Sequence, residues 1–380
     1  MQSNANSPAP IGTVENSENN RVSGEVVLLY AFDVANEILL DSISRIRGLQ
    51  PCAMVCVTDQ KMGPKRMPFA KAVGVTIPSI PDQVLGRPVS LEIHVYEVGV
   101  ICITVRVEFT SLMLADLLPF HRPVLEGGRL LDDYARELCG EICREIAANL
   151  TQPGTASEPE AYTVFFVKEL AGGRDAVRWL VEHRRAVAGL LSDSPADRLS
   201  DLRVEEALRL QRSFETTDLV VIDWDAALVI DLGGSAADIL FVLELANLQL
   251  EEFRWMDRRL DEQLDQGYSA LRKQGWQSFG SSLTVIRSLR QLSLDLARLA
   301  DEVNHSSKFI GDWHLARVYL LARERFHIDQ WRASVEQRLK QLDELYTLVR
   351  GELYDRRMLW LEIIIVLFFA VDILIILFKP

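Results

Sequence analysis

The last stretch of this 380-residue chain constrains the rest more than any other. Met358 to Phe378 reads MLWLEIIIVLFFAVDILIILF, and 19 of its 21 residues cannot ionise. As a helix it spans roughly 31 Å, the thickness of a bilayer's hydrocarbon core. Trp360 lies near one end, where an amphipathic ring suits the headgroup level. Arg350, Arg356 and Arg357 precede the run and only Lys379 follows. That charge bias predicts a single-pass protein of a bacterial inner membrane, with residues 1–357 in the cytoplasm. The competing expectation is a buried core helix, but a helix apolar all round has no evident core to enter here.

Glu362 and Asp372 interrupt the run, about 15 Å apart along the axis and roughly 80° apart around it. Glu362 is close enough to the cytoplasmic interface to reach water. Asp372 lies deeper, where a charge costs about 2.5–3.5 kcal/mol, so it is expected to be neutral, paired or facing protein. Both acids are expected as contacts between the tail helices of neighbouring copies.

Upstream, 48% apolar and 25% charged residues support a sizeable core. A net charge of −13 argues against direct nucleic-acid binding by the chain as a whole. Cys52, Cys56, Cys102, Cys139 and Cys143 contain no C-x-x-C pair and suit a reducing compartment. Cys139 and Cys143 stand at i, i+4 on a predicted helix and could share a metal. Without a histidine at matching spacing, core packing accounts for them. Residues 1–22 are rich in Asn, Ser and Pro, which predicts a disordered tail without a signal peptide.

Gly24 to Tyr30 is a short apolar strand, and Phe32 to Arg47 carries Ile38, Leu39, Ile43 and Ile46 at helical spacing. Gly48 to Pro88 is punctuated by six prolines and reads as loop, with one possible strand near Ala53 to Thr58. Leu91 to Tyr96 and Val100 to Phe109 form a hairpin around Glu97, Val98 and Gly99. Leu130, Tyr134, Leu138, Ile142 and Ile146 make a helical stripe, and Tyr162 to Val167 is another strand. The order strand, helix, strand, strand, helix, strand is the ferredoxin-like split βαβ pattern. Two more helices follow at Asp175 to Leu191 and Val204 to Leu210. Asp218 to Asp223 and Ala226 to Asp231 then make a second hairpin.

From Ser235 the pattern becomes helical, with a helix opening near Gly311-Asp312 and a last one from Asp329 running into the tail. Trp331, Val335, Leu339, Leu342, Tyr346, Val349 and Leu353 step by four and three, the seam of a coiled coil or helix pair. The expected fold is therefore α+β: a ferredoxin-like α/β head over residues 23–234, a coiled-coil-like helical stalk over 235–357, and a single C-terminal transmembrane helix over 358–378. Residues 379–380 form a short tail.

Chemistry is sparse. Gly233-Gly234-Ser235 lies between strand and helix, where backbone N–H groups can receive phosphate, but it lacks the glycine and lysine pattern of a nucleotide loop. Asp218, Asp223, Asp225 and Asp231 share one hairpin and could bind a hard cation. Asp218 and Asp231, however, stand at strand ends, where acids are ordinary. The six histidines are scattered, although His305 and His314 flank the Gly311 turn. Arg254, Arg258 and Arg259 alternate with acids, a mixed solvated face. No cofactor or catalytic set is expected.

Three stretches carry a resemblance. Leu361-Glu362 followed by Ile363, Ile364, Ile365 and Val366, with Asp372 ten residues on, resembles the terminal helix of the Rmd/YagE-like "required for meiotic nuclear division" family, a domain of unknown function. Leu243 to Asp257 is similar to the helix before that family's stalk, and Trp331 to Leu353 to its long penultimate helix. The resemblance covers roughly residues 160 to 378 and is weak in the head, and Asp372 stands where the family more often has Glu. It implies a membrane-tethered, oligomeric protein without known catalysis, with a possible link to the ribosome and translation through mitochondrial members.

The expected function follows: a non-enzymatic, C-terminally anchored scaffold. It would self-associate through its stalk into homo-oligomers on the lipid bilayer and recruit a cytosolic partner. The alternative is a metal-dependent enzyme with its site on the hairpin Asp218 to Asp231.

Overall fold

The computed structural model describes residues 21–53, 71–154, 158–171, 173, 175–232, 237–272 and 313–377. The chain divides into two compact units, Met1–Glu252 with Val303–Asp329, and Phe253–Glu302 with Gln330–Pro380.

The first unit is built on β1 (Arg21–Asp33), whose sequence EVVLLYAF is almost continuously apolar, as a strand buried on both faces requires. It pairs antiparallel with β7 (Val100–Met113) on one side and β9 (Glu160–Leu170) on the other. Beyond β7 come β6 (Arg87–Tyr96), β4 (Ala72–Ile77) and β3 (Cys52–Ala53), with β5 (Gln83–Val84) paired to β6. Beyond β9 come β12 (Ala226–Asp231), β11 (Asp218–Ile222) and β10 (Gln211–Arg212). The β12–β9 junction is parallel, whereas the other pairings in this ten-stranded sheet are antiparallel. A small second sheet joins β2 (Ala35–Ile38) to β8 (Leu150–Pro153).

Alternation divides the side chains between two faces. Val26, Leu28, Tyr30 and Phe32 of β1 enter the main core with α1 (Leu131–Glu145), α2 (Ala176–Leu191) and α3 (Asp201–Ala207). Asp175 caps α2 by accepting the Arg178 N–H at 2.8 Å, and Ser200 caps α3 by accepting that of Arg203 at 3.3 Å. On α1 the buried positions are Leu131, Ala135, Leu138, Cys139 and Ile142, while Leu130 is exposed. Leu130 is the N-cap, with extended backbone at ψ 142°, so it stands outside the helical stripe.

Further helices are α4 (Ala237–Arg272), α5 (Trp313–Arg325) and α6 (Ile328–Leu377). Residues 242–252 of α4 are buried without interruption and belong to the first unit.

The ferredoxin-like expectation is corrected by the large mixed sheet. Phe32 to Arg47 is not a helix: β1 continues to Asp33 because β7 holds its ladder as far as Val100, and β2 follows after Val34. Ile38, Ile43 and Ile46 are core residues all the same, anchoring an irregular segment. The proline-rich segment supplies β4 and β5 as well as loop. The strand expected at Ala53 to Thr58 falls almost entirely outside the described residues.

The single transmembrane helix is likewise corrected. The apolar run does not stand alone: it ends α6, a 50-residue helix whose earlier turns are charged, and Glu362 and Asp372 break it. Among the described residues no helix is long and apolar enough to cross a membrane. The tail anchor and the single-pass inner-membrane location fall with it.

In the second unit the C-terminal half of α4 lies beside α6. Asp257 accepts from Ser334 at 3.1 Å and pairs with Arg338 at 2.7 Å, Arg338 also pairs with Asp261, and Arg254 sits over the Trp331 ring at 5.7 Å. Contacts that advance together along both helices mean that the two run parallel.

Candidate functional site

The expected seam residues of α6 differ in burial. Val335 and Leu342 are fully buried, and Trp331, Leu339 and Tyr346 are half-buried. Leu345, absent from the predicted seam, is buried as well. The side chains of Val349, Leu353 and Asp372 lie outside the described residues, and Glu362 is exposed.

After the seam, α6 changes character. Met358, Leu359, Trp360, Leu361, Ile363 and Ile364 begin a surface that continues to Leu374, and its large apolar members are each 45–67% exposed. Exposed apolar patches above a few hundred Å² mark interaction surfaces, and this one is on the order of 1,000 Å². Its apolar positions surround the helix, so no single face can be turned inward.

The acidic hairpin does not gather its carboxylates. Asp218 and Asp231 are cross-strand neighbours at one end, and Asp223 stands at the other. Asp218 accepts the N–H groups of Phe214 and Glu215, a turn-stabilising role. Asp223 is fully buried between two arginines, Arg203 at 2.7 Å and Arg325 of α5, and it also accepts the Trp224 N–H at 2.9 Å. Burial lifts the Asp223 pKa above its ordinary value, against the pull of Arg325 and Arg203. Tyr162 donates to the Asp223 carbonyl at 3.0 Å, and Arg325 donates to that of Glu206 at 3.0 Å. Beside this cluster a 540 Å³ cavity is lined by Leu202, Glu205, Arg209, Trp224, Arg325 and His327 among others.

A second polar cluster lies on the opposite face of the sheet from the main core. Glu244 of α4 meets His94 Nδ1 at 2.7 Å and accepts from the Tyr96 hydroxyl at 2.8 Å. Burial pulls the His94 pKa down, but the charge and hydrogen bond of Glu244 prevail and leave it raised. Burial pushes Glu244 up, yet His94, Tyr96 and Arg106 hold it below its ordinary value. The Cys102 thiol is pushed up by burial and then by Glu244. Nearby, Arg106 binds Glu92 and Glu25. None of this was visible in the sequence, where His94 and Glu244 stand 150 residues apart.

Cys139 and Cys143 do face each other on α1: their hydrogen bond pushes the Cys139 thiol up and holds Cys143 down. Among the described residues no group of three His, Cys, Asp or Glu side chains is placed to hold a metal. Gly233, Gly234, Ser235 and His305 lie outside them.

A family model described as "Uncharacterized protein MJ0711, N-terminal domain" matches residues 23–236. The chain is similar to "Uncharacterized protein MJ0711" of Methanocaldococcus jannaschii, 24% identical over 250 residues, 64% of this chain and 74% of the relative. No solved structure matches. The Rmd/YagE resemblance is thereby corrected: the matching family lies in the N-terminal half, whereas the resemblance rested on a C-terminal helix. An Ile-rich helix with two acids is a compositional pattern that unrelated chains can share.

Proposed function

Because the chain belongs to the family of the MJ0711 N-terminal domain, we propose its function from its own geometry: a non-enzymatic assembly protein that joins copies of itself through the end of α6 and holds a partner macromolecule on its α/β head. One observation carries this reading, the apolar surface from Met358 to Leu374, whose large side chains are each 45–67% exposed. Leaving that much apolar area in water costs roughly 25 cal/mol per Å², and association removes the cost. Val335 and Leu342 of the stalk are already buried within the chain, so self-association falls to the turns beyond them.

The non-enzymatic part is supported by the way the charged clusters are used. Asp223 is held by two arginines and Glu244 by His94 and Tyr96, as structural groups are. For the partner, the head presents Phe214 and Trp313, each 64% exposed, with ring centres 6.5 Å apart and Arg317 over the indole at 5.1 Å. Exposed aromatics beside an arginine are the residue types enriched at protein interfaces.

Sedimentation velocity of the full chain tests the assembly. The expected result is a species of several times 43.0 kDa, shifted to the monomer by the pair Ile364→Lys and Phe368→Glu. A wild-type chain that sediments as a monomer at every concentration overturns the reading.

A further inference from the structure

We propose that the 540 Å³ cavity beside the Asp223 cluster binds guanine as its free nucleoside, stacked on Trp224 and held by the Glu205 carboxylate and the Arg325 guanidinium. The inference goes beyond the assembly reading and stands independently of it.

Local structure brings the walls together. Leu202, Glu205, Glu206 and Arg209 stand at i, i+3, i+4 and i+7, so one face of α3 and of the turn after it lines the cavity. Trp224 comes from the β11–β12 turn, is 39% exposed, and meets the His327 ring at 4.8 Å between centres. His327 closes α5 at φ +52°, a position that glycine fills without strain. What histidine adds there is a ring that braces the indole.

Charge then selects the ligand. Arg325 is 3% exposed, and its contacts with Asp223 and with the Glu206 carbonyl both use Nη2. Its Nε–H has no acceptor, nor has Nη1 among the described residues, so the guanidinium keeps donors to give. Glu206 faces Arg203 at 3.5 Å and Arg209 faces Glu324 at 3.6 Å. Glu205 is left as the acid of this wall with no ion pair among the described residues. An anion entering the cavity would meet Glu205 and Glu206, and a cation would meet Arg209 and Arg325. A neutral ring that accepts on one edge and donates on the next avoids both penalties. Guanine is such a ring. Its O6 and N7 accept from arginine, and N1–H and N2–H₂, side by side, match the two oxygens of a carboxylate. Any base can stack on an indole, so the edges rather than the ring face make the choice. A net charge of −13 disfavours a polynucleotide, which leaves the free nucleoside as occupant.

Isothermal titration of the full chain with guanosine, adenosine, cytidine and uridine decides the matter. Guanosine should bind about tenfold or more tighter than the other three. Glu205→Gln should abolish that preference without moving the melting temperature, because Glu205 is exposed. Trp224→Leu should weaken guanosine binding about tenfold, and Trp224→Phe should keep most of it. A purely structural role for these residues would move the melting temperature and not the choice among bases. No guanosine binding, equal affinity for the four nucleosides, or a preference that survives Glu205→Gln overturns the proposal. So does binding of inorganic phosphate or tetramethylammonium chloride in place of guanosine.

Discussion

His94 and Glu244 meet at 2.7 Å between the sheet and the helix laid over it, joining β6 to α4 through a pair that is almost entirely shielded from water. Removing one partner of such a pair strands a buried charge, at a cost of about 3 kcal/mol. Glu244→Gln should therefore lower the melting temperature, and the loss should depend on pH. His94 is raised from 6.5, so its contribution is complete below that value and fades as pH rises through the raised one. Glu244 is lowered from 4.5, so its contribution is complete above that value and fades as pH falls through the lowered one. Tyr96, Cys102, Glu92 and Arg106 surround the pair and are untouched by the substitution. Thermal melts should show the largest gap between wild type and variant near about pH 5.5, closing towards alkaline pH. A gap that does not change with pH rules out an ion pair.

Asp223 sits between Arg203 and Arg325, and its partner Arg325 is only 3% exposed. Asp223→Leu alone leaves the Arg325 guanidinium buried without its counter-charge and should cost about 3–5 kcal/mol. Adding Arg325→Met removes the stranded charge and should recover a measurable part of that loss. Urea melts followed by circular dichroism compare the two, and a double variant no better than the single denies the coupling.

Gly99 holds φ +103° in the β6–β7 hairpin, and its carbonyl accepts the N–H groups of Val34 and Ala35. A Cβ there would stand 1.8 Å from the Ala35 carbonyl oxygen. Gly99→Ala should thus destabilise the head by several kcal/mol or leave it insoluble, whereas Gly127→Ala, with open space around it, should be neutral. Equal melting temperatures for the two variants contradict this account.

Val335 on α6 is fully buried, while Leu348 on the same helix is 53% exposed. Val335→Asp should expose the stalk to limited proteolysis, and Leu348→Asp should leave the digestion pattern unchanged.

These cases also show what a sequence alone can and cannot convey. Both hairpins, at 91–109 and 218–231, were readable because alternation and turn residues are local signals. Phe32 to Arg47 was misread because pairing of Phe32 and Asp33 with Ile101 and Val100, and of Ala35 to Ile38 with Leu150 to Pro153, overrides the helical spacing of its isoleucines. The His94–Glu244 and Asp223–Arg325 clusters were invisible, since each joins elements that approach one another only after the sheet has formed. The tail was overread: length and apolarity suggested a bilayer, although two acids and a charged preceding helix belong to the same element.

β1 is the first of the described strands yet occupies the middle of the sheet, bonded to residues 100–113 on one edge and 160–170 on the other. At roughly 5–20 residues per second on the ribosome, this sticky thirteen-residue segment waits several seconds for its first neighbour and longer for its second. During that delay both of its edges are open to any passing strand, so refolding from denaturant should be limited by aggregation well before it is limited by stability.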